Sequence, residues 1–470
     1  MSDKVQIVSP IDDSVVAQRP VARDSEIEDA IATARGSQRA WARVSVGERA
    51  RICLAMLDSM LAMQEDLTVE LARMMGRPVR FGGEMGGFAE RTRHMAAIAR
   101  EALAPLTIED TDQSRRLIAR EPLGVVLVIA PWNYPYLTAV NTIVPALIAG
   151  NAVILKAASQ TLLTGERFQR AFEEAGMQES VFEHLVMSHA QTEKLIASRA
   201  VDHVTFTGSV AGGRAIERAA AGSFIGVGLE LGGKDPAYVR ADADLDHAIE
   251  NLVDGAFFNS GQSCCGIERI YVAESLHDRF VEGFVATTEA YVLGDPLEAA
   301  TTLGPMAQAK GADLVREQTA AAVRAGARAL VDPGRFSRNG VAGSTWLAPQ
   351  VLTSVDHQMA VMREESFGPV VGIMAVADDD AAIELMNDSA YGLTASLWTG
   401  DRDAARALGA RLRTGTVFMN RCDYLDPALV WTGVKDTGRG QSLSVLGYQA
   451  LTRPKSYHLR ASPKVFHGVS

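Results

Sequence analysis

The sequence predicts an α/β protein built on parallel sheets, and three observations carry that prediction. Between Val125 and Leu229, short apolar runs alternate with amphipathic ones, joined by short turns. Glycine stands where such runs change over, as at Thr207-Gly208-Ser209. A second alternating series follows Gly232-Gly233, and 470 residues exceed what one ordinary domain holds.

Taken in order, residues 5–21 carry the Pro, Asp and Ser punctuation of short strands and turns. From residue 24 to about 103, apolar side chains recur every three or four positions, first Ile27, Ile31 and Ala34, then Ile52, Met56, Met60 and Met63. That spacing predicts amphipathic helices. The methionine stripe, which includes Met74 and Met75, reads as core, and Cys53 within it as structural. The stretch 105–121 is polar and then alternates, as an extended ribbon would. A lone ribbon is unstable in water, so it must pack against something, such as another subunit.

Strands are then expected over 125–130, 152–156, 182–186, 204–207 and 224–229, with helices over 138–149, 165–175, 191–198 and 210–220 between them. The second series continues with a helix over 245–258, a strand over 270–272, a helix over 277–291 and βα-type material to about 418. Residues 448–466 alternate as a strand and lead to a polar tail.

Composition excludes several classes. The net charge of −11 comes without a basic tail or Lys/Arg cluster, which argues against a nucleic-acid or anionic-membrane partner. Four cysteines in so long a chain form no disulfide framework and no metal-ligand spacing, consistent with a reducing, cytoplasmic setting and no bound metal. The N-terminus lacks an apolar signal core. The apolar region 123–155 is broken by Pro131, Asn133, Pro135, Asn141 and Pro145, so it reads as strand, turn and helix rather than a membrane span.

Five places in the chain carry chemistry. Asn259-Ser260-Gly261-Gln262-Ser263-Cys264-Cys265-Gly266 places two cysteines at a helix-to-strand junction, where an open thiol is a potential nucleophile; small buried hydrophobes are the alternative. Phe206-Thr207-Gly208-Ser209-Val210-Ala211-Gly212-Gly213 joins a strand to a helix N-terminus, a setting suited to phosphate, although many ligand-free turns look alike. Glu230 sits between leucines before two glycines, where burial would raise its pKa and suit it to general-base work. Pro131-Trp132-Asn133-Tyr134-Pro135 stiffens a turn in which Asn133 either presents an amide N–H to an oxyanion or merely orders the turn. Lys156, closing a strand at the same sheet edge, reads equally as a cation for ribose or phosphate and as a surface lysine.

Together these segments resemble the NAD(P)-dependent aldehyde dehydrogenase superfamily. The resemblance rests on PWNYP at 131–135, LK at 155–156, FTGS at 206–209, LELGGK at 229–234, GQSC at 261–264 and EESFGPV at 364–370. Order and spacing agree with it, including the interval 264 − 230 = 34 between glutamate and cysteine. The resemblance implies that Cys264 attacks the aldehyde carbon, that Asn133 with the Cys264 N–H stabilises the oxyanion, and that Glu230 activates the water that hydrolyses the thioester. It also implies cofactor contacts from Trp132, Lys156, Ser159, Gly208, Ser209, Glu365 and Phe367. Cys265 becomes a neighbour of the nucleophile, and Arg269 a brace of its loop.

Two departures matter. Many NAD-preferring members carry a glutamate where this chain has Ser159; without its repulsion of a 2′-phosphate, NADP becomes plausible beside NAD. Where the family often shows Gly-Arg-Glu, this chain reads Gly440-Gln441-Ser442, so water activation at Glu230 needs another route. The resemblance places Tyr134, Leu137, Asn141, Ser263, Cys265, Tyr424 and Trp431 at the substrate entrance. Members that take short semialdehydes commonly have an arginine where Asn141 falls, so the expected substrate is an apolar or aromatic aldehyde, with Arg421 a possible competing cation.

The resemblance implies a Rossmann-like cofactor domain over 1–103 and 122–232 and a catalytic α/β domain over 233–447. An oligomerisation ribbon over 104–121 and 448–470 would build a homodimer or homotetramer. The rival readings are a semialdehyde dehydrogenase, a CoA-acylating relative, which generally lacks a glutamate at position 230, and a catalytically silent binding protein.

Overall fold

Strands Val125–Ile129 and Ala152–Lys156 are buried along their whole length, as strands covered by helices on both faces must be. In this computed structural model, which describes residues 4–461, they are adjacent inner strands of a six-stranded sheet. Phe182–His184 pairs outside Ala152–Lys156, while His203–Thr207 and then Gly226–Glu230 extend the other side, all in parallel. The chain therefore reverses its direction of progress at Val125–Ile129, which opens a crevice beyond the carboxyl ends of that strand and of His203–Thr207.

The sixth strand, Gly438–Arg439, runs antiparallel to Gly226–Glu230 with Gly438 opposite Glu230. The chain thus returns to the first sheet before residue 447. Turn-rich sequence gave no periodicity to reveal that return.

The second sheet has seven strands, in the order Arg328–Ala329, Gln350–Thr353, Val370–Val376, Ile267–Ala273, Asp235–Val239, Thr394–Trp398 and Thr416–Met419, parallel except for the first. The expected ribbon is a three-stranded antiparallel sheet with Ser114–Pro122 between Leu106–Asp110 and Thr452–Arg460. Tyr448 is not in that strand. It is buried in helix Ser444–Ala450 and its hydroxyl donates to the Met95 carbonyl at 2.7 Å, so tertiary packing overrides the alternation. Positions 462–470 of the expected ribbon lie outside the described residues.

Helices Asp24–Trp41, Val46–Ala62, Gln64–Met75 and Met85–Ala102 occupy the predicted helical region. Met56, Met60, Met74 and Met75 are fully buried, and burial pushes the Cys53 thiol up to about 12. The region breaks after Met75, where Gly76 is left-handed and Pro78 cannot continue a helix. None of the described helices is long and apolar enough to cross a membrane.

Candidate active site

The crevice is a cavity of about 660 Å³. Trp132, Asn133, Lys156, Ser159, Gly208, Ser209, Glu230, Cys264, Glu365 and Phe367 all line it, so the residues expected for catalysis and for the cofactor meet in one place. They arrive from strand ends of the first sheet and from two loops of the second.

Cys264, half buried, lies just after a sharp turn, where Asn259 and Ser260 are left-handed, and before strand Ile267–Ala273. Neighbouring side chains brace the turn: the Asn133 Nδ2 donates to the Gln262 carbonyl at 3.1 Å, Ser260 Oγ donates to the Gly304 carbonyl at 2.8 Å, and Ala307 N–H donates to Gln262 Oε1 at 2.9 Å. Asn133 is in turn held through its main-chain carbonyl by Arg77 and by Asn259 Nδ2.

Sequence reasoning missed what lies behind this. Arg77 and Glu84 form a buried ion pair at 2.6 Å, and the second Glu84 oxygen accepts the N–H groups of Tyr136 and Leu137 at 3.0 and 2.7 Å. The carboxylate thereby caps helix Pro135–Ile148 at its positive end. Burial still raises its pKa. The available signal was charge inside the Gly/Pro-rich interruption Gly76–Glu84.

Glu230 ends strand Gly226–Glu230. Ser442 Oγ donates to Oε1 at 2.6 Å and Thr207 Oγ1 to Oε2 at 3.2 Å. Desolvation raises the Glu230 pKa, opposed by those two hydrogen bonds and by the charge of Arg91. Among the residues expected to contact the cofactor, Ser209 caps helix Val210–Ala220 by accepting from Gly212 N–H at 3.2 Å. The Lys156 amine is buried, which lowers its pKa. Burial pushes Glu365 up to about 7, and its Oε1 accepts from Gly233 N–H at 3.0 Å. Phe367 has φ of 50°, and its ring stands edge-on to Trp132 at 5.5 Å. The buried Glu268, paired with Lys234, accepts the N–H groups of Ser366 and Phe367 and fixes that loop. Buried Arg269 donates to four main-chain carbonyls and braces the same region.

The expected substrate-entrance residues do not line this cavity. Tyr134 lies under the Arg77 guanidinium at 4.6 Å. Ser263 Oγ and Cys265 Sγ both donate to Asp423 Oδ1 at 2.9 Å, a half-buried carboxylate absent from the sequence reading. Tyr424 donates to Glu90 at 2.7 Å and is stacked under Arg421 at 3.4 Å. Trp431 belongs to the large apolar core of the first part of the chain, and Leu137 and Cys264 each pack against that core. Asn141 accepts from Arg91 at 3.2 Å, and buried Arg91 also donates to the Leu137 carbonyl at 2.6 Å. The Arg91 Nε and Asn141 Nδ2 have no partner. An arginine therefore reaches the Asn141 position from helix Met85–Ala102, which sequence spacing did not reveal.

The Aldehyde dehydrogenase family pattern matches residues 1–457. A succinate semialdehyde dehydrogenase (NAD(P)+), Sad, of Escherichia coli is 32% identical, covering 94% of each chain. A geranial dehydrogenase of Castellaniella defragrans is 32% identical over 97% of this chain and 96% of the other. The crystal structure of an NAD-dependent aldehyde dehydrogenase from Sinorhizobium meliloti superposes with a TM-score of 0.94 at 33% identity, covering 99% of this chain and 93% of that one.

Proposed function

The chain belongs to the aldehyde dehydrogenase family, and on that premise we propose how its cleft oxidises an aldehyde to a carboxylic acid with NAD(P)+. The Cys264 thiolate adds to the aldehyde carbon, and the Asn133 amide with the Cys264 N–H stabilises the oxyanion of the thiohemiacetal. NAD(P)+, when bound, supplies the acceptor for the hydride that leaves this carbon. Glu230 then takes a proton from water as its oxygen attacks the thioester, the C–S bond breaks, and the acid and the thiolate are released.

The residues fit a dinucleotide. A helix N-terminus at Ser209, the buried Lys156 cation, the Glu365 carboxylate and the Phe367 ring suit pyrophosphate, ribose hydroxyls and nicotinamide in turn. Ser159 is exposed at the mouth and offers a 2′-phosphate no repulsion, so the cofactor is NAD or NADP.

The observation that supports this reading above all is that Cys264, Asn133 and Glu230 line one cavity with the proposed cofactor residues. Trp132, Leu137, Leu425 and Cys264 each pack against the apolar core that contains Trp431, which favours an apolar or aromatic aldehyde. Arg91, a buried cation held at Asn141, is what favours the second reading, a carboxylate-bearing semialdehyde. Comparing kcat/KM for hexanal, benzaldehyde and succinic semialdehyde decides between them; comparable values for all three contradict the apolar reading. Release of free acid rather than acyl-CoA separates hydrolysis from CoA acylation.

We also propose a cytoplasmic homodimer or homotetramer built through the three-stranded ribbon, whose edge strand exposes Leu106 and Ile108. The cofactor domain, the catalytic domain and the ribbon are its three parts. Light scattering on purified protein measures the assembly, and a monomer contradicts it.

A further inference from the structure

Glu230 lines two cavities. One is the cleft described above; the other, of about 450 Å³, lies behind it and is lined by Asn141, Thr142, His203, Gly228, Gln441 and Ser442, among others. Ser442 reaches Glu230 because its segment lies directly along the strand that carries the glutamate. Gly438 pairs opposite Glu230, and a Cβ there would fall 2.4 Å from the Leu229 carbonyl oxygen. Gly440, with φ of 104°, passes so close that its Cβ would lie 3.1 Å from the Gly228 Cα. Beyond it, Ser442 exchanges two 2.9 Å main-chain hydrogen bonds with Trp431, which fixes where its hydroxyl points.

We propose that Ser442 is a positioning residue for the hydrolytic half of the reaction, holding the Glu230 carboxylate in the wall between the two cavities. The proposal rests on the function given above. The Glu230 carboxylate takes a proton from water, the water oxygen bonds to the thioester carbon, and the C–S bond breaks with its electron pair going to Cys264 sulfur. The proton then leaves Glu230 for solvent by way of the second cavity. Thr207 holds the other carboxylate oxygen, so losing Ser442 frees the side chain to rotate without removing the base.

Ser442→Ala and Ser442→Thr test this in rapid-mixing experiments that follow NAD(P)H with the aldehyde on which the wild type is most active. The expected result for Ser442→Ala is a first turnover at the wild-type rate, followed by a steady state slower by about tenfold, the loss of one hydrogen bond to a charged group. Its pH–rate limb moves to higher pH, because the removed hydrogen bond favours the ionised carboxylate. Ser442→Thr, which keeps the hydroxyl, restores both. An unchanged steady state and pH limb overturn the proposal. So does an equal slowing of first turnover and steady state, which would mark a general structural defect. A wild type that forms no NAD(P)H fails the parent reading instead.

Discussion

The side-chain amide of Asn133 donates to the main-chain carbonyl of Gln262 across 3.1 Å, two residues before Cys264. The Cys264 loop and the turn of the first sheet are thereby fixed to each other. One amide hydrogen holds the loop, and in the proposed mechanism the other serves the developing oxyanion. Asn133→Ala is expected to lower kcat by roughly 10²–10³ with a smaller change in KM, as loss of an oxyanion donor does. Steady-state kinetics on protein checked by circular dichroism measures it.

Glu84 is the hinge of that arrangement, since it neutralises Arg77 and caps the helix after Asn133. Glu84→Gln leaves the Arg77 charge buried without a counter-ion and is expected to destabilise the fold by about 3–5 kcal/mol. Denaturant unfolding checks this, and a change within 0.5 kcal/mol or so, the scatter of an ordinary surface substitution, contradicts it.

The alternating strands and the turns at Asn133, Gly208 and Glu230 were legible because strand periodicity, glycine and isolated charge are local signals. Arg77, Glu84, Arg91 and Asp423 were not. Each acts on residues distant in sequence, as Arg91 does on Asn141, and amphipathic periodicity says only that a face is buried. Ser442 was visible as a departure, but its contact with Glu230 depends on strand Gly438–Arg439, which is too short for any pattern.

The role proposed for Glu230 implies a pH dependence. Burial raises its pKa, and a protonated carboxylic acid cannot accept the proton of water. Hydrolysis should therefore rise with pH through that raised value. His184 and His203 are held near 4 by burial and stay neutral across the range, so they do not supply this limb. Glu230→Gln is expected to abolish the limb and to stop after one equivalent of NAD(P)H; continued turnover with the wild-type pH profile contradicts the assignment.

Arg91 tests substrate choice. Arg91→Met should raise KM for succinic semialdehyde about tenfold or more, the scale of one hydrogen bond between charged groups, and leave hexanal little changed if a carboxylate binds there. An equal effect on both substrates points instead to packing, because Arg91 also holds the Leu137 carbonyl.

For the cofactor, Ser159→Glu places a carboxylate at the cleft mouth. It should cut kcat/KM with NADP+ by about tenfold or more through like-charge repulsion while sparing NAD+. Equal losses with both cofactors contradict the placement of the 2′-position beside Ser159.

The central claim is that Cys264 is the nucleophile of a hydrolytic, NAD(P)-dependent oxidation. Its most direct test is NAD(P)H and free-acid formation by wild type and Cys264→Ala across an aldehyde panel. The prediction is stoichiometric acid and reduced cofactor from the wild type and a loss of about 10³-fold or more in the variant. Retention of activity by a folded Cys264→Ala protein would contradict it.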